Sequence, residues 1–221
     1  MKPQQLPLAL YADTPRTLDN FIVGHNSELL THLRSWSAPG APHVYLWGAP
    51  GCGRTHLVCA ACLEQSRPVV QLAPKDLETL DPHGLAPQAL IAVDDVDHCS
   101  QAAQFALFRL FNTATENGYT VLMTGQPPPL GLKLREDLRT RIGQALIFEV
   151  KPLSEDEKIK VLQSHAHARG LTLDKALTDY MLRYCRRDIR SLLDVFERLD
   201  RAALEHKRPL TVPLLRDIMQ P

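Results

Sequence analysis

Gly48-Ala49-Pro50-Gly51-Cys52-Gly53-Arg54-Thr55 combines glycines, a cation and a hydroxyl at a spacing suited to holding a phosphate chain. Glycines lack Cβ, so backbone N–H groups can curl round an anion, and a helix starting there adds the positive end of its dipole. Thr55 is placed to put a hydroxyl on Mg2+. The pattern G-x-x-x-x-G-K-[ST] is met at every position but one, because Arg54 stands where lysine is expected. A second group, Asp94 and Asp95, closes a later apolar run. Asp94 would hold Mg2+ directly or through water, and Asp95 could orient or deprotonate an attacking water. Thr124 or Gln126, at the end of a third run, could reach a γ-phosphate or its water. A plain glycine turn and two carboxylates opening a turn would explain each half alone. Found in order, the halves support each other, and the chemistry is that of nucleoside-phosphate binding.

The elements that must position these residues follow from hydrophobic period. Val44-Tyr45-Leu46-Trp47 precedes the loop and Leu57-Val58-Cys59-Ala60-Ala61-Cys62-Leu63 follows it as helix. Short apolar runs at 69–72, 90–95, 119–124 and 145–150 suit strands covered on both faces. Between them lie an amphipathic helix from Gln101 to Asn117 and a short basic helix from Leu134 to Ile142. Asn26 or Ser27 is expected to cap a helix carrying Leu29, Leu30, Leu33 and Trp36 on one face. Phe105, Phe108 and Phe111 recur on the helical period and are expected in the core. Residues 73–88 give only a weak short-helix signal. Strands alternating with helices imply an α/β fold, a five-stranded parallel sheet flanked by helices. Asp94 would then lie beside the phosphate loop at the strands' C-terminal ends.

After Pro152 strand signals stop. Ser154-Glu155-Asp156-Glu157 is a capping box, and Asp174, Asp188 and Thr211 each begin a helix. A small all-α lid domain is expected here. The expected division is a tail over 1–12, an α/β nucleotide-binding domain over 13–151 and a helical lid over 152–221.

A net charge of +0 makes no demand for a long nucleic-acid footprint. Five cysteines without framework spacing point to a reducing cytoplasm. Cys59-Ala60-Ala61-Cys62 falls mid-helix with no second pair, and reads as two small hydrophobes rather than a zinc or redox site. No apolar run approaches a membrane span and no secretion signal opens the chain, so a cytoplasmic protein is expected. His165 and His167 do not share a helical face, and no histidine is given a catalytic role.

Phosphate loop, acidic strand, polar strand end, basic helix and helical lid, in that order from about Thr17 onward, resemble the AAA+ nucleotide-binding module of the DnaA-related family. Thr17-Leu18-Asp19-Asn20-Phe21-Ile22-Val23-Gly24 is similar to that family's adenine-side loop, which implies base contacts from Phe21, Ile22 and Val23. Gly51-Cys52-Gly53-Arg54-Thr55-His56-Leu57 resembles its phosphate loop. The resemblance implies ADP or ATP held by Pro50, Gly51, Cys52, Gly53, Arg54, Thr55 and His56, with Mg2+ on Thr55 and Asp94. Arg141, in Leu138-Arg139-Thr140-Arg141-Ile142, sits where the family has its arginine finger. Arg190, in Asp188-Ile189-Arg190, sits where a lid arginine touches the nucleotide's own phosphates. Without the resemblance, both would read as a solvated basic helix face. Gln126 departs from the family, where an Asp follows Thr-Ser.

Three features favour the short regulatory branch that inactivates the initiator DnaA. The sequence stops at Pro221, just past the lid, without the initiator's DNA-binding helix-turn-helix. No long N-terminal interaction domain is present. Gln5-Leu6-Pro7-Leu8-Ala9-Leu10 is similar to the hexapeptide with which that branch binds the sliding clamp, the beta subunit of DNA polymerase III, with Ala9 where Pro is usual. By resemblance Gln5 enters a polar pocket and Leu8 and Leu10 fill an apolar one. From the pattern alone, Leu6, Leu8 and Leu10 alternate as in an extended peptide, and an arm folded on its own body fits as well. The expected function is negative regulation of replication initiation: an ADP-bound protein docked on the clamp, reaching DNA only through it, completes the ATP site of DnaA with Arg141. Arg54 for Lys, and Asp95 where many AAA+ ATPases carry Glu, predict a weak ATPase at most. The alternative is a self-sufficient AAA+ ATPase, initiator-like or loader-like. A P-loop kinase would need a substrate-binding insertion that the sequence lacks. Homodimerisation stays open.

Overall fold

The computed structural model describes residues 15–219 other than 37 and 39. The expected clamp-binding residues Gln5, Leu6, Leu8 and Leu10 lie outside the described residues. Five strands, β1 (Val44–Trp47), β2 (Val69–Leu72), β3 (Leu90–Val93), β4 (Thr120–Gly125) and β5 (Leu146–Glu149), form one parallel sheet in the order β2-β3-β4-β1-β5. Parallel strands need crossovers: α2 (Arg54–Leu63) links β1 to β2, α3 (Gln101–Asn117) links β3 to β4 and α4 (Glu136–Gly143) links β4 to β5, while α1 (Ser27–Ser35) precedes β1. Side chains alternate along a strand, so each central strand feeds both faces. Tyr45, Ile91, Val93, Val121 and Met123 join α3 and α4 in one core, while Val44, Leu46, Leu90, Ala92 and Leu122 join α1 and α2 in the other. That double burial is why the central strands read as unbroken apolar runs, whereas Leu146 and Ile147 on edge strand β5 stay partly exposed.

The helical region holds α5 (Glu155–His167), α6 (Lys175–Tyr184), α7 (Ile189–His206) and α8 (Val212–Met219). Ser154, Asp174 and Asp188 cap the first three by accepting from Glu157 N, Leu177 N and Ser191 N at 3.3, 2.7 and 2.9 Å. Leu162, Leu177, Met181, Leu192, Phe196 and Leu215 are fully enclosed in a separate core. Among the described residues no helix is long and apolar enough to cross a membrane.

Two details, at Phe105 and Asn26, depart from the sequence reading, and one, over 73–88, sharpens it. Phe111 is buried, but Phe105 is 47% exposed with the Arg135 guanidinium 3.7 Å from its ring centre. A helix turns about 100° per residue, so positions six apart stand roughly 120° from each other and one helix cannot bury both against one surface. Residues 73–88 hold two 3-10 turns, Pro74–Thr79 and Pro82–Gly84. Asn26 precedes α1, yet its side chain makes no cap. It is 3% exposed and its amide bridges to the segment leading into the lid: Nδ2 donates to Lys151 O at 3.0 Å, and Lys151 N donates to Oδ1 at 2.8 Å.

Candidate nucleotide site

β1 delivers the chain to the phosphate loop at the strands' C-terminal end, and α2 begins at Arg54. Gly51 and Gly53 carry φ of 78° and 106°, which L side chains rarely adopt. A Cβ on Gly53 would stand 2.7 Å from the Phe21 ring, and one on Gly51 would collide with Asp188 at the start of the lid's α7. The loop is thus clasped between the Phe21 segment and the lid. A cavity of about 990 Å³ opens there. Phe21, Ile22, Pro50, Gly51, Cys52, Gly53, Arg54, Thr55, His56 and Arg190 all line it. Val23 does not; it is 42% exposed outside the lining.

On the Phe21 side, His56 Nε2 lies 2.9 Å from Thr17 O and its ring meets Phe21 edge-on at 5.4 Å. Burial lowers the His56 pKa, so the neutral ring donates to that carbonyl as its Nε2–H tautomer. On the lid side, Arg190 is exposed at the mouth in the first turn of α7. Burial works against ionisation of Asp188, but hydrogen bonds from Ser191 outweigh it and hold the carboxyl below its ordinary range. Lys151, Lys158, Arg186 and Arg187 also line the cavity, as do His165 and Glu197. None of these six was assigned a site role from sequence, and His165 was set aside there. The run Arg186-Arg187-Asp188-Ile189-Arg190, basic and directly at a helix cap, was the signal that could have found two of them.

The acidic strand end is tightly organised. Thr55 Oγ1 donates to Asp94 Oδ2 at 2.8 Å, and Thr124 Oγ1 donates to Asp94 Oδ1 at 2.5 Å. Thr124 Oγ1 also accepts from Asp95 N at 2.8 Å. Asp95 adopts a left-handed backbone, φ 53° and ψ 54°, a conformation that costs a non-glycine residue about 1 kcal/mol or more. Its Oδ1 sits 3.2 Å from Arg54 Nη2. Burial, then the Asp94 carboxylate, raise the Asp95 pKa against the opposing pull of Arg54. Arg54 is only 9% exposed, and its Nη1 is buried with no hydrogen-bonding partner among the described residues. Of the two polar strand-end candidates, Thr124 is fully buried on Asp94, while exposed Gln126 uses its backbone N–H on Asp97 Oδ1 at 3.3 Å.

These residues fit a nucleoside phosphate with Mg2+. The Thr55 hydroxyl and Asp94 carboxylate are paired hard oxygen donors, as Mg2+ requires. The bent glycine loop at the start of α2, with the orphaned Arg54 nitrogen, suits an anion. Arg141 lies elsewhere. It is exposed on α4, its Nη2 donates to Asn112 Oδ1 on α3 at 3.5 Å, and it takes no part in lining the cavity.

Residues 155–219 match the family model described as "Hda, lid domain". The helical lid belongs to the Hda lid family. The fold as a whole is that of AAA+ modules. Domain III of the Thermotoga maritima replication initiation protein DnaA superposes with a TM-score of 0.75 at 17% identity, over 95% of this chain and 99% of that one. AMPPCP-bound DnaA from Aquifex aeolicus gives 0.69 at 20% identity, over 85% of this chain and 66% of that one. The Thermotoga maritima RuvB Holliday junction branch migration motor gives 0.69 at 20% identity, over 93% and 72%. The chain therefore spans about two thirds of the length of the Aquifex initiator. Its lid is thus Hda-like, and its fold is that of the DnaA AAA+ domain.

Proposed function

We propose that this Hda-like chain is a negative regulator of DNA replication initiation, which keeps ADP in its own cavity and acts on ATP bound to a neighbouring DnaA. The observation that carries the reading is the separation of two arginines. Arg54 is enclosed at the phosphate loop, whereas Arg141 is exposed on α4, away from the chain's own cavity. A guanidinium with no role at its own site is free to serve a site on another molecule. Being planar, always charged and fork-shaped, it suits the charge that develops on a γ-phosphate.

In this scheme Phe21 and Ile22 flank the base, with Val23 behind them. Pro50 to His56 cradle the phosphates, and Arg190 reaches them from the lid. Thr55 and Asp94 would hold Mg2+, which supplies charge neutralisation at the phosphates when bound. Residues 13–151 act as the nucleotide-binding domain and 152–221 as the lid. Gln5, Leu6, Leu8 and Leu10 form the peptide for the polymerase sliding clamp, so that DNA is reached only through the clamp and no membrane is involved. The setting is cytoplasmic, at the nucleoid through partners.

The test is Arg141→Ala in the full chain with clamp on DNA and ATP-loaded DnaA, followed by phosphate release. Stimulation should fall on the order of 1,000-fold while clamp binding and the chain's own nucleotide are retained. Undiminished release with intact clamp binding removes Arg141 from the scheme. Fast turnover by the isolated chain, without clamp or initiator, would favour the self-sufficient ATPase instead.

A further inference from the structure

The cation of the phosphate loop is already spent. Arg54 Nη2 and Asp95 Oδ1 are 3.2 Å apart, with the arginine side chain 9% and the aspartate side chain 41% exposed. Asp95 is held for this contact by two independent constraints: its left-handed backbone, and the hydrogen bond from its N–H to Thr124 Oγ1. Thr124 in turn is anchored on Asp94, which also takes the Thr55 hydroxyl. The carboxylate best placed to orient water and the cation best placed to meet a terminal phosphate thus neutralise each other.

We propose that Arg54 is a positioning residue that locks Asp95, and that this pair sets the cavity's preference for a nucleoside diphosphate over a triphosphate while suppressing the chain's own turnover. This rests on the nucleotide site proposed above. A diphosphate can be met by the glycine-loop N–H groups with the pair intact. A third phosphate adds negative charge beside Arg54 and Thr55, whose partners are Asp95 and Asp94. It must either draw Arg54 off Asp95 or face uncompensated carboxylates. An always-charged planar fork holds a carboxylate in fixed geometry, which a lysine ammonium does not.

Hydrolysis would also need Asp95 free. In that reaction the water oxygen bonds to the γ-phosphorus as the bond from that phosphorus to the β,γ-bridging oxygen breaks. The bridging oxygen leaves with ADP and the electron pair. One water proton stays on the phosphate, and the other passes through Asp95 to solvent.

The experiment uses the full chain and two probes, ADP and β,γ-methylene ATP, each titrated onto wild type, Asp95→Asn and Arg54→Lys. Asp95→Asn, at a half-exposed position, keeps the fold and frees Arg54. It should tighten the ATP analogue about tenfold and change ADP less than about twofold. Arg54→Lys should raise single-turnover ATP hydrolysis at least about tenfold, and adding Asp95→Asn should abolish that gain. A ratio of ATP-analogue to ADP affinity within twofold of wild type in Asp95→Asn overturns the proposal, as does unchanged turnover in an Arg54→Lys chain that still binds ADP. Equal weakening of both ligands with a lowered Tm would mark the pair as structural only and also overturns it. Wild type that binds neither nucleotide overturns the nucleotide site itself, an outcome distinct from the others.

Discussion

Two arginine environments on one α/β body show how the same side chain is given different work. At the phosphate loop Arg54 is enclosed and paired with a carboxylate, on a loop whose Gly51 abuts the lid. On α4 Arg141 stands in solvent with a 3.5 Å contact to Asn112. The enclosed arginine operates in surroundings where charge is costly and every partner counts; the exposed one holds little and is available to another surface. On the function proposed above, retention of a ligand and action upon a partner would fall to opposite regimes of solvation.

The comparison can be broken from either side. Arg141→Ala should remove activity towards the partner on the order of 1,000-fold and leave ligand retention untouched, as phosphate release and co-purified nucleotide would report. Gly53→Val attacks the other region. Its φ of 106°, and the 2.7 Å at which an added Cβ would meet Phe21, leave no room for a branched side chain. About 3 kcal/mol of strain, roughly 100-fold in nucleotide affinity, is expected by calorimetry, with Arg141 still exposed.

Asn26→Ala sharpens the comparison by loosening the enclosure alone. It strands the N–H and C=O of Lys151, and denaturant unfolding should record a loss of about 2 kcal/mol. The smallest effect belongs to His165 at the cavity wall, where burial and then Arg169 lower its pKa below the usual 6.5 against the pull of Glu197. The unfolded chain therefore binds this proton first. Stability contributed by the neutral ring is full above pH 6.5 and declines as pH falls towards the folded value. Tm measured from about pH 7.5 to about pH 5.5 should drop less in His165→Asn than in wild type.

Much of this architecture was legible in the sequence because its determinants are local. β1, β3 and β4 announce themselves as short apolar runs, and Ser154, Asp174 and Asp188 cap helices within three residues of themselves. Gly51, Gly53, Arg54 and Thr55 of the loop line one cavity, and Thr55 donates to Asp94. The Arg54–Asp95 contact was hidden because it depends on how the loop after β1 meets the end of β3, which are separated by β4 in the sheet. Phe105 misled because three aromatics at threefold spacing drift around a helix, and Arg135 supplies the cover that the core does not. Asn26 misled because cap residues and buried amide bridges draw on the same side-chain chemistry. Lys151, Lys158 and His165 reach the cavity only once the lid is folded against the sheet domain.

The amide of Asn26 has one further consequence. It fastens the entrance of the lid to the root of α1, a few residues from Phe21, while a Cβ added to Gly24 on the same joint would stand 3.0 Å from Leu153. Ligand at the base and posture of the lid are thereby coupled quantities, and coupling of equilibria is reciprocal. Any protein that grips α5 to α8 in one posture must change ligand residence by the same factor by which the ligand changes its grip.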